Sequence, residues 1–157
     1  MSGPFNEPRI VEVDEVTTAS IRDTVAMADI RNFFDGSIGT LGTVLADQSV
    51  TPTGAPFGLY RGQPTDTVDI EVGFPTDRPI DPDRGVSAGT LPAGRVARMI
   101  HQGSFDTLGD SWQRLMGWII GQGELPGPMF WEVYLTEPTP DMDPAALSTA
   151  LNCLLAS

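Results

Sequence analysis

The apolar pattern of this 157-residue chain is written twice, and that repetition constrains the fold more than any single residue does. Residues 10 to 25 nearly alternate in the manner of a half-buried strand, with Ile10, Glu12 and Asp14 on one parity and Val11 and Val13 on the other, Val16 falling out of step. From Met27 the period lengthens. Met27, Ile30, Phe34, Ile38, Leu41 and Leu45 fall three or four apart, on one face of a helix that Gly36 and Gly39 weaken. After the turn VTPTGAP, the runs Phe57 to Arg61 and Thr67 to Phe74 read as a hairpin.

A connector rich in proline and aspartate, Pro75 to Gly85, divides the chain near its midpoint, and the pattern restarts. An extended stretch from Val86 to Ile100 precedes a second helix, which Ser104, Asp106 or Thr107 can cap, with Asp110 in the capping-box position after Thr107. Phe105, Leu108, Trp112, Leu115 and Ile119 form its apolar stripe, and Gly121-Gln122-Gly123 ends it. The strand GPMFWEVYLTEP and a last strand near Ala146 to Leu155 follow. GAPFGLYRG in the first half and GPMFWEVYL in the second occupy the same place in the order. The expected architecture is α+β: duplicated βαββ units related by a pseudo-twofold, with antiparallel sheets and a central ligand cleft between the halves. One domain holds both, the first repeat about 10–76, the connector 77–85 and the second repeat about 86–155.

Charge and composition narrow the function. Nine basic residues against 21 acidic ones give a formal charge of −12, which repels phosphate backbones and anionic membranes, so a nucleic-acid partner is not expected. Cys153 is the one cysteine, which excludes an internal disulfide and any cysteine-rich zinc site; no metal or cofactor is expected. No run approaches the ~20 apolar residues that span a bilayer, nor has the N-terminus the form of a secretion signal, so no membrane partner is expected and a cytoplasmic location is. The sequence fixes no oligomeric state.

One residue breaks the pattern it sits in. Glu132 interrupts the most apolar run of the chain, where an unpaired charge is costly to bury. Alternation puts Phe130, Glu132 and Tyr134 on one face of the strand, and Trp131, Val133 and Leu135 on the other, which reads as the helix-packed core. Glu132 is then either an exposed surface glutamate or a pocket carboxylate between aromatic rings. The second arrangement attracts a lipophilic cation, with a cation–π contribution of roughly 0.5 to 2 kcal/mol. The same carboxylate can serve as a general acid or base. Tyr60, on the duplicate strand, is a second candidate wall. Trp112 and Trp118, six apart on the helix, cannot both face the core squarely. His101, the only histidine, reads as a hydrogen-bonded structural residue or a weaker site candidate, and Glu71, sharing parity with Asp69, as part of a solvated face. No phosphate loop or dinucleotide glycine fingerprint is present.

The segment Leu91 to Pro138 resembles the GyrI-like small-molecule-binding superfamily: a strand ending in His-x-Gly, a helix with Trp and Leu, a Gly-Pro turn and the strand Trp131-Glu132-Val133-Tyr134, in that order. FGLYRG and DIEVGFPT in the first half match the weaker part of its pattern. The resemblance implies a duplicated βαββ fold with a hydrophobic cleft, and it places the family's buried acidic residue at Glu132. Ligand contacts would come from Glu132, Trp131, Tyr134, Phe130, Tyr60, Trp112 and His101. The implied function is capture of a bulky hydrophobic, aromatic small molecule, drug-like or toxin-like, for sequestration or resistance. Its alternative is a hydrolase that opens the cyclopropane of a DNA-alkylating natural product, with Glu132 and Tyr134 as catalytic residues. A third role found among relatives is inhibition of gyrase. The sequence departs from the family in its last strand, Ser148 to Leu155, and carries no helix-turn-helix before residue 10, so a stand-alone ligand module is expected.

Overall fold

A computed structural model describes residues 7–61, 65–103, 107–136, 143 and 147–156. In chain order the elements are β1 (Arg9–Val13), β2 (Val16–Ala26), α1 (Ile30–Asp47), β3 (Phe57–Arg61), β4 (Thr67–Pro75), β5 (Ser87–Leu91), β6 (Gly94–Gln102), α2 (Leu108–Gly121), β7 (Pro126–Tyr134) and β8 (Ser148–Leu155). They fall into two compact units, one from Asp14 to Ala93, the other made of the chain up to Val13 together with the chain from Gly94. No helix among the described residues is long and apolar enough to cross a membrane.

In the first unit the strands pair antiparallel in the order β5-β2-β4-β3. Helix α1 lies on the face that carries Ala19, Val68, Ile70 and Val72, and buries Leu41, Val44 and Leu45 there. Their three- and four-residue spacing is the stripe visible in the sequence. Each such side chain contributes about 1.5–3 kcal/mol on full burial. Met27 stands outside this helix, in a 3-10 turn, and is 46% exposed. The proline-rich connector is docked rather than loose: the Arg78 guanidinium donates to the carbonyls of Gln48, the C-cap of α1, and of Ser49 just beyond it, at 3.1 and 2.6 Å. The Gln48 carbonyl is one that a helix C-terminus leaves without a partner.

In the second unit the order is β1-β6-β8-β7, again all antiparallel. Helix α2 packs Leu115 and Ile119 onto Ala97, Met99, Leu151 and Cys153. Gln122 and Gly123 close the helix, Gly123 with φ +79, a backbone conformation that glycine adopts without strain. Gly127 has a different reason to be glycine: a Cβ there would stand 2.6 Å from the Leu154 carbonyl oxygen of the neighbouring strand.

Taken one at a time, the two units share a pairing order. Strand, helix, strand, strand runs β2-α1-β3-β4 with β4 between the other two, and β6-α2-β7-β8 with β8 between the other two. Two long extended runs of the sequence break where this order requires. Residues 10–25 divide at Asp14-Glu15 into β1 and β2, and residues 86–100 divide at Pro92-Ala93 into β5 and β6. Proline has no N–H for a sheet ladder and the acidic pair has little strand propensity. As a result β1 pairs with β6 and β5 with β2: β5 is the edge strand of the continuous Asp14–Ala93 unit, and β1 is an edge strand of a unit whose other strands come after Ala93.

Candidate functional site

The register of the second unit decides which side of β7 the helix covers. Phe130 lies opposite Cys153, Glu132 opposite Leu151 and Tyr134 opposite Thr149, while Ala97, Met99 and His101 of β6 face the same three residues of β8. Leu151 and Cys153 belong to the core under α2, and Phe130 packs with them. The helix therefore covers the face of Phe130, Glu132 and Tyr134. The expectation from alternation, that Trp131, Val133 and Leu135 formed the helix-packed side, is reversed, and Leu135 is 51% exposed. Both faces of this strand are rich in apolar groups, and the parity of one strand does not say which of them a helix covers.

Glu132 is accordingly buried, with 6% of its surface exposed. Helix α2 makes that possible, because its Trp112 Nε1–H donates to Glu132 Oε2 at 2.6 Å. Tyr134, two residues along the same strand face, donates its hydroxyl to Oε1 at 2.7 Å. The Trp112 indole also meets the Phe130 ring edge to face, with centroids 5.1 Å apart. Both donors are neutral. No arginine pairs with this carboxylate among the described residues. Burial consequently raises the Glu132 carboxyl above the ordinary 4.5, opposed by the hydrogen bonds from Trp112 and Tyr134 and by the charge of His101.

His101 stands on the same face, 5% exposed. Its Nδ1 is 2.6 Å from Ser111 Oγ and its Nε2 is 3.3 Å from Thr107 Oγ1, so both ring nitrogens are held by hydroxyls at the start of α2. Thr107 occupies the N-cap position, yet its side chain makes no capping hydrogen bond. Ser104, Phe105 and Asp106 lie outside the described residues. The sequence treated Thr107 only as a cap and passed over Ser111. Their spacing of four, which aligns them on one helix face beside the only histidine, was the available signal.

The remaining candidates separate. Trp112, Phe130, Tyr134 and Glu132 come together, with His101 on the same face. Trp131, 3% exposed, is on the opposite face of β7 and not beside the carboxylate. Trp118 packs against the core of α2. Tyr60 belongs to the first unit and packs there against the core under α1. Glu71 corrects the expectation of a solvated face: it is 5% exposed, accepts from Ser20 Oγ at 2.6 Å and pairs with Arg61 Nη2 at 2.8 Å. Asp69, on the same parity, does lie nearer solvent, bound to the exposed Arg22. Among the described residues no group of histidine, cysteine and carboxylate side chains could hold a metal.

Comparison with known proteins agrees with this arrangement of elements. The family model described as GyrI-like small molecule binding domain matches residues 6–148. The C-terminal domain of EcmrR has a similar structure, with a TM-score of 0.84 at 20% identity, covering 96% of this chain and 98% of that one. In an EcmrR–DNA complex the matched part is 57% of the longer EcmrR chain. SAV2435 bound to tetraphenylphosphonium aligns with a TM-score of 0.67 at 14% identity, over 96% and 94% of the two chains. A hydrolase from Listeria innocua aligns with a TM-score of 0.72 at 12% identity, over 99% and 94%. No curated protein matches the sequence.

Proposed function

Since the chain belongs to the GyrI-like small-molecule-binding family, we propose that it holds a bulky, hydrophobic aromatic cation against the carboxylate of Glu132, and so sequesters a drug-like or toxin-like compound. The observation that carries this reading is that, among the described residues, no cationic side chain pairs with that carboxylate. Glu132 is buried, yet its hydrogen bonds come only from the neutral Trp112 and Tyr134. A buried charge satisfied by neutral donors keeps its attraction for a positive ligand, and in a low-dielectric setting that attraction exceeds its value in water. The Trp112 N–H is the neutral placeholder that a ligand cation replaces at Oε2. The rings of Trp112, Phe130 and Tyr134 then supply apolar and cation–π surface. The shared pairing order of the two units supports reading them as copies of one βαββ design.

Tetraphenylphosphonium, which SAV2435 holds, is a suitable probe because its charge does not titrate. Titration calorimetry is expected to give saturable binding of this cation, accompanied by a change in tryptophan fluorescence as the indole is displaced. Absence of binding at millimolar probe would sink the cation reading.

Hydrolysis of a reactive electrophile, such as a cyclopropane-bearing alkylator, is a second reading with support of its own. The chain contains no lysine. Its one cysteine is buried with the thiol pushed up to about 11, and both nitrogens of its one histidine are engaged. Such a chain offers an alkylating molecule few competing nucleophiles. A buried carboxyl held above its ordinary range is a usable general acid or base. Product formation above the rate without protein, followed by mass spectrometry and abolished in E132Q, separates catalysis from capture.

A further inference from the structure

The face of the second unit turned away from α2 carries a rung that crosses all four of its strands. Arg9 of β1 lies opposite Arg98 of β6, Arg98 opposite Asn152 of β8, and Asn152 opposite Trp131 of β7. Asn152 and Trp131 are buried, Arg98 is half-buried and Arg9 is exposed. Like charges directly opposed across an antiparallel pair destabilise it. Burial, and after it the charge of Arg9, disfavours the charged form of Arg98. A guanidinium stays protonated even so, and the strand pair therefore holds this charge against an opposing free energy.

No carboxylate offsets it among the described residues. Arg22, Arg61, Arg84 and Arg95 each pair with one there, whereas Arg9 and Arg98 pair with none, in a chain of 21 acidic residues. The positions beside Arg98 on this face are apolar: Val96 and Ile100 along β6, Ala150 and Leu154 along β8. Glu7, two residues before Arg9, precedes β1 and is exposed.

One hydrogen bond orients the guanidinium. Arg98 Nε–H donates to Asn152 Oδ1 at 2.7 Å, and Asn152 is held in turn through its Nδ2, which donates to the Ala150 carbonyl at 3.3 Å. The bond occupies Nε and leaves the two Nη groups side by side. They make no hydrogen bond among the described residues and are reached by solvent. Two parallel N–H groups on a rigid fork match the two oxygens of a carboxylate or a phosphate.

We propose that Arg98, with Arg9 beside it, binds the oxyanion group of a small molecule, a carboxylate or a phosphate, on the face of the sheet opposite to Glu132. Arg98 grips two oxygens through its Nη groups, Asn152 holds the fork in place, and Arg9 adds attraction from the edge strand. This site is independent of the cation reading of Glu132, and neither needs the other.

Inorganic phosphate and benzoate are the probes, each titrated into the full chain at fixed ionic strength with sodium chloride as the balancing salt. The Nε–H resonance of Arg98, assigned as the one that R98K lacks, is expected to shift saturably with at least one of them, and which one distinguishes phosphate from carboxylate. Chloride, a single atom that cannot bridge both Nη groups, should move it far less. Calorimetry with the effective probe should show binding about 10- to 100-fold weaker in R98Q, as loss of hydrogen bonds to a charged partner does. R98K should also weaken it, because an ammonium keeps the charge without the fork. R9Q, at an exposed position, should weaken it about two- to fivefold, and R114Q on α2 should leave it unchanged. Absence of a saturable shift at millimolar probe, an equal response to chloride, or equal affinity in wild type and R98Q overturns the proposal. If R98Q fails to fold, R98K and R9Q decide: wild-type affinity in both overturns it.

Discussion

Among the described residues each unit buries one glutamate, and the two are stabilised in opposite ways. Glu71 has an arginine and a serine: its charge is neutralised within the protein, and the burial pushes no net charge toward a ligand. Glu132 has an indole N–H and a phenol O–H, neutral donors that satisfy its oxygens without an ion pair to arginine among the described residues. Similar burial, 5% and 6%, thus accompanies an ion pair in one unit and a carboxylate held by neutral donors in the other. Exposure alone does not tell these two settings apart. The identity of the donors does.

That contrast can be broken most decisively at Glu132. E132Q keeps the shape and removes the charge, and is expected to weaken tetraphenylphosphonium binding by about 10- to 100-fold, the ~1.5–3 kcal/mol of an interaction with a charged partner. E71Q should leave that affinity within about twofold but lower stability by about 1–3 kcal/mol, less than the ~3–5 kcal/mol for a fully buried pair because Arg61 keeps part of its side chain in water. Chemical denaturation with both variants checks the pair, and a loss of affinity in E71Q would erase the distinction. W112F removes one donor and keeps the ring. It should cost about 1–2 kcal/mol of stability and raise the Glu132 carboxyl further, since one of its two opposing hydrogen bonds is lost.

The smallest effect is in the pH dependence of stability. Because the folded state holds the Glu132 proton above the ordinary 4.5 of the unfolded chain, the folded state binds more protons in the interval just above 4.5. Stability contributed by this group is therefore present below 4.5 and lost as pH rises through the raised value. Subtracting the curve of E132Q should isolate that slope. A difference that grows in the other direction would mean that the folded state favours the ionised carboxylate, through a positive charge nearby.

The unusual setting of Glu132 was legible because it violates the pattern around it, and the partners of His101 were partly legible in the spacing of Thr107 and Ser111. Which face of β7 carries the helix was not. That depends on the register with β8, a pairing between residues some twenty positions apart, and local alternation is silent about it. Glu71 was misread for a related reason. It shares parity with Asp69, but Glu71 lies opposite Leu59 of β3 and Arg22 of β2, inside the sheet, whereas Asp69 lies nearer the open end of the same strand. Position along a strand outweighs parity. That β1 and β5 pair across the boundaries of the repeats expected from the sequence was likewise out of reach, since each reads locally as an extension of its neighbour.

Strand β1 has one more consequence, for the history of the molecule rather than its chemistry. It is synthesised before every strand of the Asp14–Ala93 unit, yet its partner β6 follows about eighty residues later. Closing so long an intervening segment is entropically costly for an unfolded chain and much cheaper once that segment has condensed. The Asp14–Ala93 unit has all its own strands by the time Ala93 is made, so on a ribosome it can assemble while β1 waits. The unit that carries Glu132 is then the last to be completed, and the early-made β1 is among the last strands to find its place.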